Sequence, residues 1–281
     1  MQVIKSIKEL GVFVDLRLLK GQEIGFVPTM GALHDGHISL IRRSLSENHC
    51  TIASVFVNPT QFNDPKDFSK YPRQLTKDAQ MLLEAGCDAL FAPTVEEMYP
   101  RRDETIYNLA PIDAVLEGAF RPGHFNGVAS VVKRLLELVK PTRAYFGLKD
   151  YQQYLIVKIL AERYHLPTEI VGCEIVRERE GLALSSRNQL LSDNGKAIAQ
   201  NLSAALHLAK ELGKTASLDT AEEMAREMLM DVDGLDLEYF QIVDRDTLQP
   251  FSERQVADAP AIALVAARVE GVRLIDNMII R

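Results

Sequence analysis

Residues 23–28, "EIGFVP", run straight into residues 29–37, "TMGALHDGH", and the helical pattern "HISLIRRSLSEN" begins at once. The first run is apolar and strand-length. In the third, Ile38, Ile41 and Leu45 share one helical face, with Asp35 placed to cap its start. The middle is therefore a strand-to-helix turn carrying His34 and His37. Such a turn delivers backbone N–H groups without helical partners, and the positive end of a helix, to one spot that favours a phosphate. Gly36 keeps a side chain out of that spot, and the two imidazoles point donors toward it.

Working outward, strand-like runs recur at 50–58 "CTIASVFVN", 87–93 "CDALFAP", 143–147 "RAYFG" and 168–176 "TEIVGCEIV". Helical patterns separate them. "RQLTKDAQMLLEAG" carries Leu75, Ala79, Leu82 and Leu83, "GVASVVKRLLELVKP" stops at a proline, and "DYQQYLIVKILAERYHLP" opens on a capping aspartate. Alternation of buried strands with helices predicts an α/β fold with a Rossmann-like, doubly wound parallel sheet over residues 1–176. In such sheets ligands bind beyond the carboxyl ends of the strands, and here the polar clusters follow strand ends.

From residue 177 the texture changes. A helix introduced by Ser192 or Asp193 and a second near 218–231 precede three strand-like runs, "LDLEYFQIVD", "AIALVAARV" and "VRLIDNMII", the last two joined by the turn-like "EGV". Residues 177–281 are thus expected to form a smaller α+β lid domain.

Composition excludes several classes. A net charge of −7 with no dense basic block argues against nucleic acid and anionic membrane as partners. No apolar run approaches the roughly eighteen residues of a membrane span. The start, "MQVIKSIKELG", lacks the apolar core and cleavage site of a secretory signal and is expected to belong to the mature fold. Cys50, Cys87 and Cys173 are far apart and show no zinc spacing, which reads as buried thiols in a reducing cytoplasm.

The His-x-Gly-His signature resembles the nucleotidylyltransferase superfamily, which spans class I aminoacyl-tRNA synthetases, cytidylyltransferases and adenylyltransferases. That likeness implies attack on the α-phosphate of ATP with pyrophosphate leaving. It also implies a second, basic serine-containing loop, and "LSSRN" (184–188) fits, with Ser185, Ser186 and Arg187 supplying hydroxyls and a guanidinium fork. Taken alone, "SSRN" is an ordinary solvated turn.

Further motifs narrow the likeness. "FVPTMGALHDGH", "VFVNPTQF", "YPR", "RPGHFNGV", "FGLKDYQQ" and "ALSSRN" occur in the order, and at about the separations, of the pantothenate synthetase family. The resemblance covers residues 1–192 and fades to a general layout in the tail. It implies a two-step ligation. Pantoate and ATP give pantoyl adenylate and pyrophosphate, then β-alanine attacks the acyl carbon and releases AMP. Both nucleophiles come from substrates, so the protein's tasks are orientation, charge stabilisation and exclusion of water.

Residue by residue, the resemblance implies that His34, His37, Lys149, Ser185, Ser186 and Arg187 act on the reacting phosphates. Met30, Gly147, Asp150 and Val176 would complete the nucleotide site, with Asp150 on the ribose hydroxyls or capping the helix that follows. Pro28, Met30, Asn58, Gln61, Arg121, His124 and Gln153 would line the substrate pocket, the neutral amides fixing hydroxyl and carboxylate oxygens without added charge. Magnesium is expected with ATP, held mostly by phosphates and water, with Asp78 as a contact. Lys77 stands beside it, where family members often carry further acidic residues. A homodimer through the larger domain is implied as well, with strands such as "CTIASVFV" contributing. Two other readings stand beside the ligase: a nucleotidylyltransferase that stops at a stable nucleotidyl product, and a nucleotide-binding regulatory module without turnover. A synthetase acting on tRNA is excluded by the short acidic tail.

Overall fold

The computed structural model describes residues 1–62, 68–69, 71–101, 103–251 and 259–281. The chain divides into two compact units, Met1–Leu148 with Gln153–Glu174, and Lys149–Gln152 with Ile175–Arg281.

In the first unit six strands make one parallel sheet in the order β1-β4-β3-β2-β5-β6. They are β1 (Gln2–Ile4), β2 (Ile24–Thr29), β3 (Cys50–Val55), β4 (Ala89–Phe91), β5 (Arg143–Gly147) and β6 (Glu169–Cys173). The predicted doubly wound sheet is therefore present, with the short edge strand β1 added. From β2 the chain steps outward through β3 and β4, then returns to lay β5 on the opposite side of β2. The direction of winding reverses between β2 and β5, which is where an open α/β sheet leaves a crevice at its carboxyl end. Thr29 and Gly147 end those two strands.

The main helices of this unit are α1 (Ile7–Leu19), α2 (Asp35–Glu47), α3 (Leu75–Glu84), α4 (His124–Val139) and α5 (Tyr151–Arg163). Central strands β2 and β3 are buried along most of their length on both faces. Val27, Ala53, Leu90 and Tyr145 pack with Leu40 and Ile41 of α2 and Leu82 of α3 in one buried cluster. Helix α3 turns Asp78 and Leu82 inward and leaves Leu75 and Leu83 of its apolar pattern exposed. All three cysteines are buried and free. Burial pushes the thiols up, to about 11 at Cys50, about 12 at Cys87 and about 11 at Cys173. Strand β3 is hydrogen-bonded along both edges, to β2 and to β4, and so offers no free edge to a second copy of the chain.

In the second unit α6 (Asp193–Leu212) and α7 (Leu218–Met230) pack on an antiparallel sheet ordered β7-β8-β9, comprising Leu235–Asp244, Ala261–Val269 and Val272–Ile279. Ser192 caps α6 by accepting the Gly195 N–H. The turn between β8 and β9 is Glu270-Gly271, both left-handed (φ 53° and 77°), a form whose twist suits a two-residue hairpin. Among the described residues no helix is long and apolar enough to cross a membrane.

Candidate functional site

The spacing of the two histidines has a local cause. His34, not Asp35, is the N-cap of α2, in extended conformation (φ −145°, ψ 176°). Its Nδ1 accepts the Gly36 N–H at 3.2 Å, and the Nδ1 of His37 reaches back to accept the His34 N–H at 3.3 Å. This is a reciprocal capping box built from two imidazoles, and it works only when they lie three residues apart. A ring whose Nδ1 accepts can donate only through Nε2. The ring centroids are 4.1 Å apart.

The turn before the box is also satisfied internally. Gly31 (φ 83°) and Ala32 (φ 51°) are both left-handed. The Gly31 N–H donates to Thr29 Oγ1 (3.1 Å), which itself donates to the Ser54 carbonyl (2.7 Å). The Ala32 and Leu33 N–H groups donate to Asp78 Oδ2 (3.0 Å) and Oδ1 (2.8 Å). The expected cradle of unpaired amides is thus largely spent on side chains. Asp78, expected as a magnesium contact, has both carboxylate oxygens on backbone amides at 1% exposure and does not fit that role. Among the described residues no cluster of three or more His, Cys, Asp or Glu is placed to hold a metal.

The loop after β3 builds a second group. Asn58 caps the short turn Pro59–Gln61, its Oδ1 taking the Thr60 N–H and hydroxyl and the Tyr99 hydroxyl (3.1 Å). Its Nδ2 donates to the Gly127 carbonyl (3.1 Å) and to Gln61 Oε1 (3.3 Å). At 1% exposure, Asn58 has both polar side-chain atoms engaged within the protein. Gln61 sends Nε2 to Met30 Sδ at 3.0 Å. The backbone carbonyl of Gln61 accepts His124 Nδ1–H at 2.8 Å, and Arg121 Nη1 faces His124 Nε2 at 3.1 Å. His124 thereby bridges the Arg121 guanidinium and the Gln61 carbonyl. Gly127 lets α4 come this close: a Cβ there would sit 2.3 Å from the Thr60 carbonyl oxygen. Met30, Asn58, Gln61, Arg121 and His124 are thus one connected set. Pro28 lies in register with Ser54 near the end of β2, Gly147 pairs with Cys173 at the end of β5, and Gln153 is half-buried in the first turn of α5.

In the second unit a crevice is lined by Lys149, Ser185, Arg187, Asn188, Arg273 and Asp276. Lys149 is 3.7 Å from Asp150, which is half-exposed and closes the tight turn Leu148–Asp150 ahead of α5. Ser185 accepts the Arg187 N–H and so starts the turn Ser186–Leu190, where Ser186 is buried. The Val176 carbonyl accepts the Leu184 N–H at 2.9 Å and fixes the base of this loop. The sequence reading misses three residues that hold the crevice. Arg177 grips Asp276 through two bonds, 2.6 and 3.0 Å, and so meets the carboxylate charge that would otherwise offset Lys149 and Arg187. Asn277 donates to the Lys149 carbonyl at 2.8 Å. The pair "DN" inside the apolar strand "VRLIDNMII" was the available signal, since buried polar side chains need partners.

Comparison with known proteins follows the same pattern. The family model described as pantoate-beta-alanine ligase matches residues 2–279. The chain is 47% identical over 278 residues to the pantothenate synthetase of Bacteroides thetaiotaomicron, covering 99% of this chain and 98% of that one. It superimposes on the crystal structure of pantothenate synthetase from Thermus thermophilus with a TM-score of 0.93 and 45% identity, covering 100% of this chain and 99% of that one. A third match, with TM-score 0.83 and 37% identity over 100% of this chain and 98% of the other, is pantoate-beta-alanine ligase from Francisella tularensis complexed with beta-gamma ATP and beta-alanine.

Proposed function

The chain belongs to the pantoate-beta-alanine ligase family, and from that premise we propose how its residues divide the work of condensing pantoate with β-alanine at the expense of ATP. In the first step a pantoate carboxylate oxygen attacks the α-phosphorus, the bond to the β-phosphate breaks, and pyrophosphate leaves. In the second the β-alanine amine attacks the acyl carbon, the bond to AMP breaks, and the amine gives up a proton. No protein nucleophile is required. The chain's contribution is to orient the reactants and to stabilise charge that grows on phosphate oxygens.

The observation that carries this reading is the histidine capping box. Because each Nδ1 is spent on a backbone amide, each ring presents Nε2–H, a preoriented neutral donor, to the α-phosphate. Lys149, Ser185, Ser186 and Arg187 serve the leaving phosphates, Lys149 as a point charge and Arg187 as a fork. Gly147, Asp150 and the Val176 backbone serve the nucleoside. Gln61, Gln153, Met30 and Pro28 serve pantoate, with Asn58, Arg121 and His124 holding Gln61. Magnesium, if used, would come with the triphosphate, and among the described residues no cluster of three or more His, Cys, Asp or Glu would hold it. The buried free thiols suit a reducing cytoplasm, and the family likeness supports a homodimer, which sedimentation equilibrium tests.

The deciding measurement is pantoate-dependent exchange of pyrophosphate into ATP, followed by AMP release that requires β-alanine. Exchange without an amine-dependent second step would point to a nucleotidylyltransferase. The absence of exchange would point to a binding module.

A further inference from the structure

We propose that Asp78 is a positioning residue for adenylation: it sets the backbone turn that aims the paired histidines. The proposal rests on the ligase reading above and adds to it a residue that touches neither substrate nor metal.

After β2 the chain must bend sharply to enter α2, and it does so through two consecutive left-handed residues, Gly31 and Ala32. Glycine accepts that conformation freely, but a residue with a Cβ resists it and needs something to hold it there. Asp78, reaching in from α3, is that hold. Its two oxygens take the N–H groups of Ala32 and Leu33 at 3.0 and 2.8 Å, a charge-assisted pair in a buried setting. Thr29 takes the preceding N–H, that of Gly31, while anchored to the Ser54 carbonyl of β3. Three successive amides are thereby turned toward side chains, and no side chain fits at position 31, where a Cβ would sit 2.9 Å from Asp78 Oδ2. His34 is the next residue after this clamp. The direction in which the chain leaves Leu33 sets the His34 ring, whose cap sets the start of α2, and His37 closes the box. A small error at Asp78 is passed to both imidazoles, and misplacement of about an ångström costs on the order of a hundredfold in rate.

The test is Asp78→Asn, which keeps shape and one acceptor but turns an NH2 group toward an amide N–H. Its readouts are pyrophosphate exchange, KM for ATP and pantoate, the magnesium concentration for half-activity, and thermal melting. The expected result is a kcat for exchange lowered about ten- to a hundredfold, with little change in KM or in magnesium half-saturation. Adding Ala32→Gly should restore part of the loss, because glycine needs no clamp to be left-handed. An unchanged kcat in folded Asp78→Asn overturns the proposal. So does a shift in magnesium half-saturation as large as the activity loss, which would make Asp78 a metal contact. If Asp78→Asn does not fold, Thr29→Val, which releases only the Gly31 N–H, should lower kcat in the same way, and an unchanged kcat there overturns the proposal too. Absence of exchange in the unsubstituted protein would instead defeat the ligase reading.

Discussion

The Nδ1 atom of His37 accepts the backbone N–H of His34 at 3.3 Å, so one imidazole is fastened to the residue that carries the other. The bond does two jobs. It closes the N-terminus of α2, and it leaves Nε2–H as the ring's donor. The stability of this turn and the role proposed for it in adenylation are therefore linked, and they separate by choice of substitution.

His34→Asn should keep the cap, because asparagine is among the best N-cap residues, while removing the Nε2–H donor. We expect a melting temperature close to that of the parent and adenylation slower by about two orders of magnitude or more. His34→Ala should lose the same activity and, in addition, about 1 kcal/mol of stability. His37→Ala should likewise cost about two orders of magnitude in exchange rate. Parent-like exchange in His34→Asn would remove this histidine from the chemistry.

Gln61→Ala should raise KM for pantoate and leave KM for ATP nearly unchanged. Gly127→Ala reaches the same residue indirectly, since the added Cβ would press on the Thr60 carbonyl at 2.3 Å. We expect it to cost about 1–3 kcal/mol in urea unfolding and to raise KM for pantoate in parallel. An unchanged pantoate KM in Gln61→Ala would count against its placement.

Lys149→Ala should slow adenylation by about two orders of magnitude. Asn277→Ala leaves the charge in place but removes the donor to the Lys149 carbonyl, so a smaller loss is expected, about tenfold in kcat/KM for ATP, from a group left short of about 1–3 kcal/mol. Steady-state kinetics with ATP varied will distinguish the two. Equal losses would show that Asn277 does more than hold the backbone.

Alkaline pH should weaken the fold from about pH 9 upward. Burial raises Cys50 and Cys173 to about 11, and Cys87, Tyr107 and Tyr145 to about 12. Where the folded pKa lies above the unfolded one, the native state binds more protons. The stability is then whole below the unfolded value and is lost as pH rises through the folded value. Melting temperatures from pH 7 to 11 should hold level and then fall, and a thiol reagent at pH 8 should react slowly until the protein is unfolded. Rapid labelling of folded protein would contradict the burial of these thiols.

The strand-to-helix alternation, the strongly apolar central runs and the two-part layout were legible in the sequence because they depend on periodicity, which is a local property. The histidine pair, Lys149, Gln61 and the "SSRN" turn were legible through motif order. What periodicity could not reveal was the partner of each polar group. Asp78 reads as a magnesium contact in "LTKDAQ", yet it is buried on the amides of residues 46 and 45 positions away in the chain. Asn58 and His124 read as substrate contacts, and the structure shows both hydrogen-bonded to Gln61. Asp276 lies 99 residues beyond Arg177, and Asn277 lies 128 beyond Lys149, the residues they hold.

The sequence by itself determined where strands and helices form and which side chains have the chemistry for phosphate and carboxylate, since both follow from residue type and spacing. Only the tertiary structure decided which of those side chains face the chemistry and which are consumed in holding others. A buried polar atom must find a partner, and the folded chain, not its order, decides which partners lie within about 3 Å.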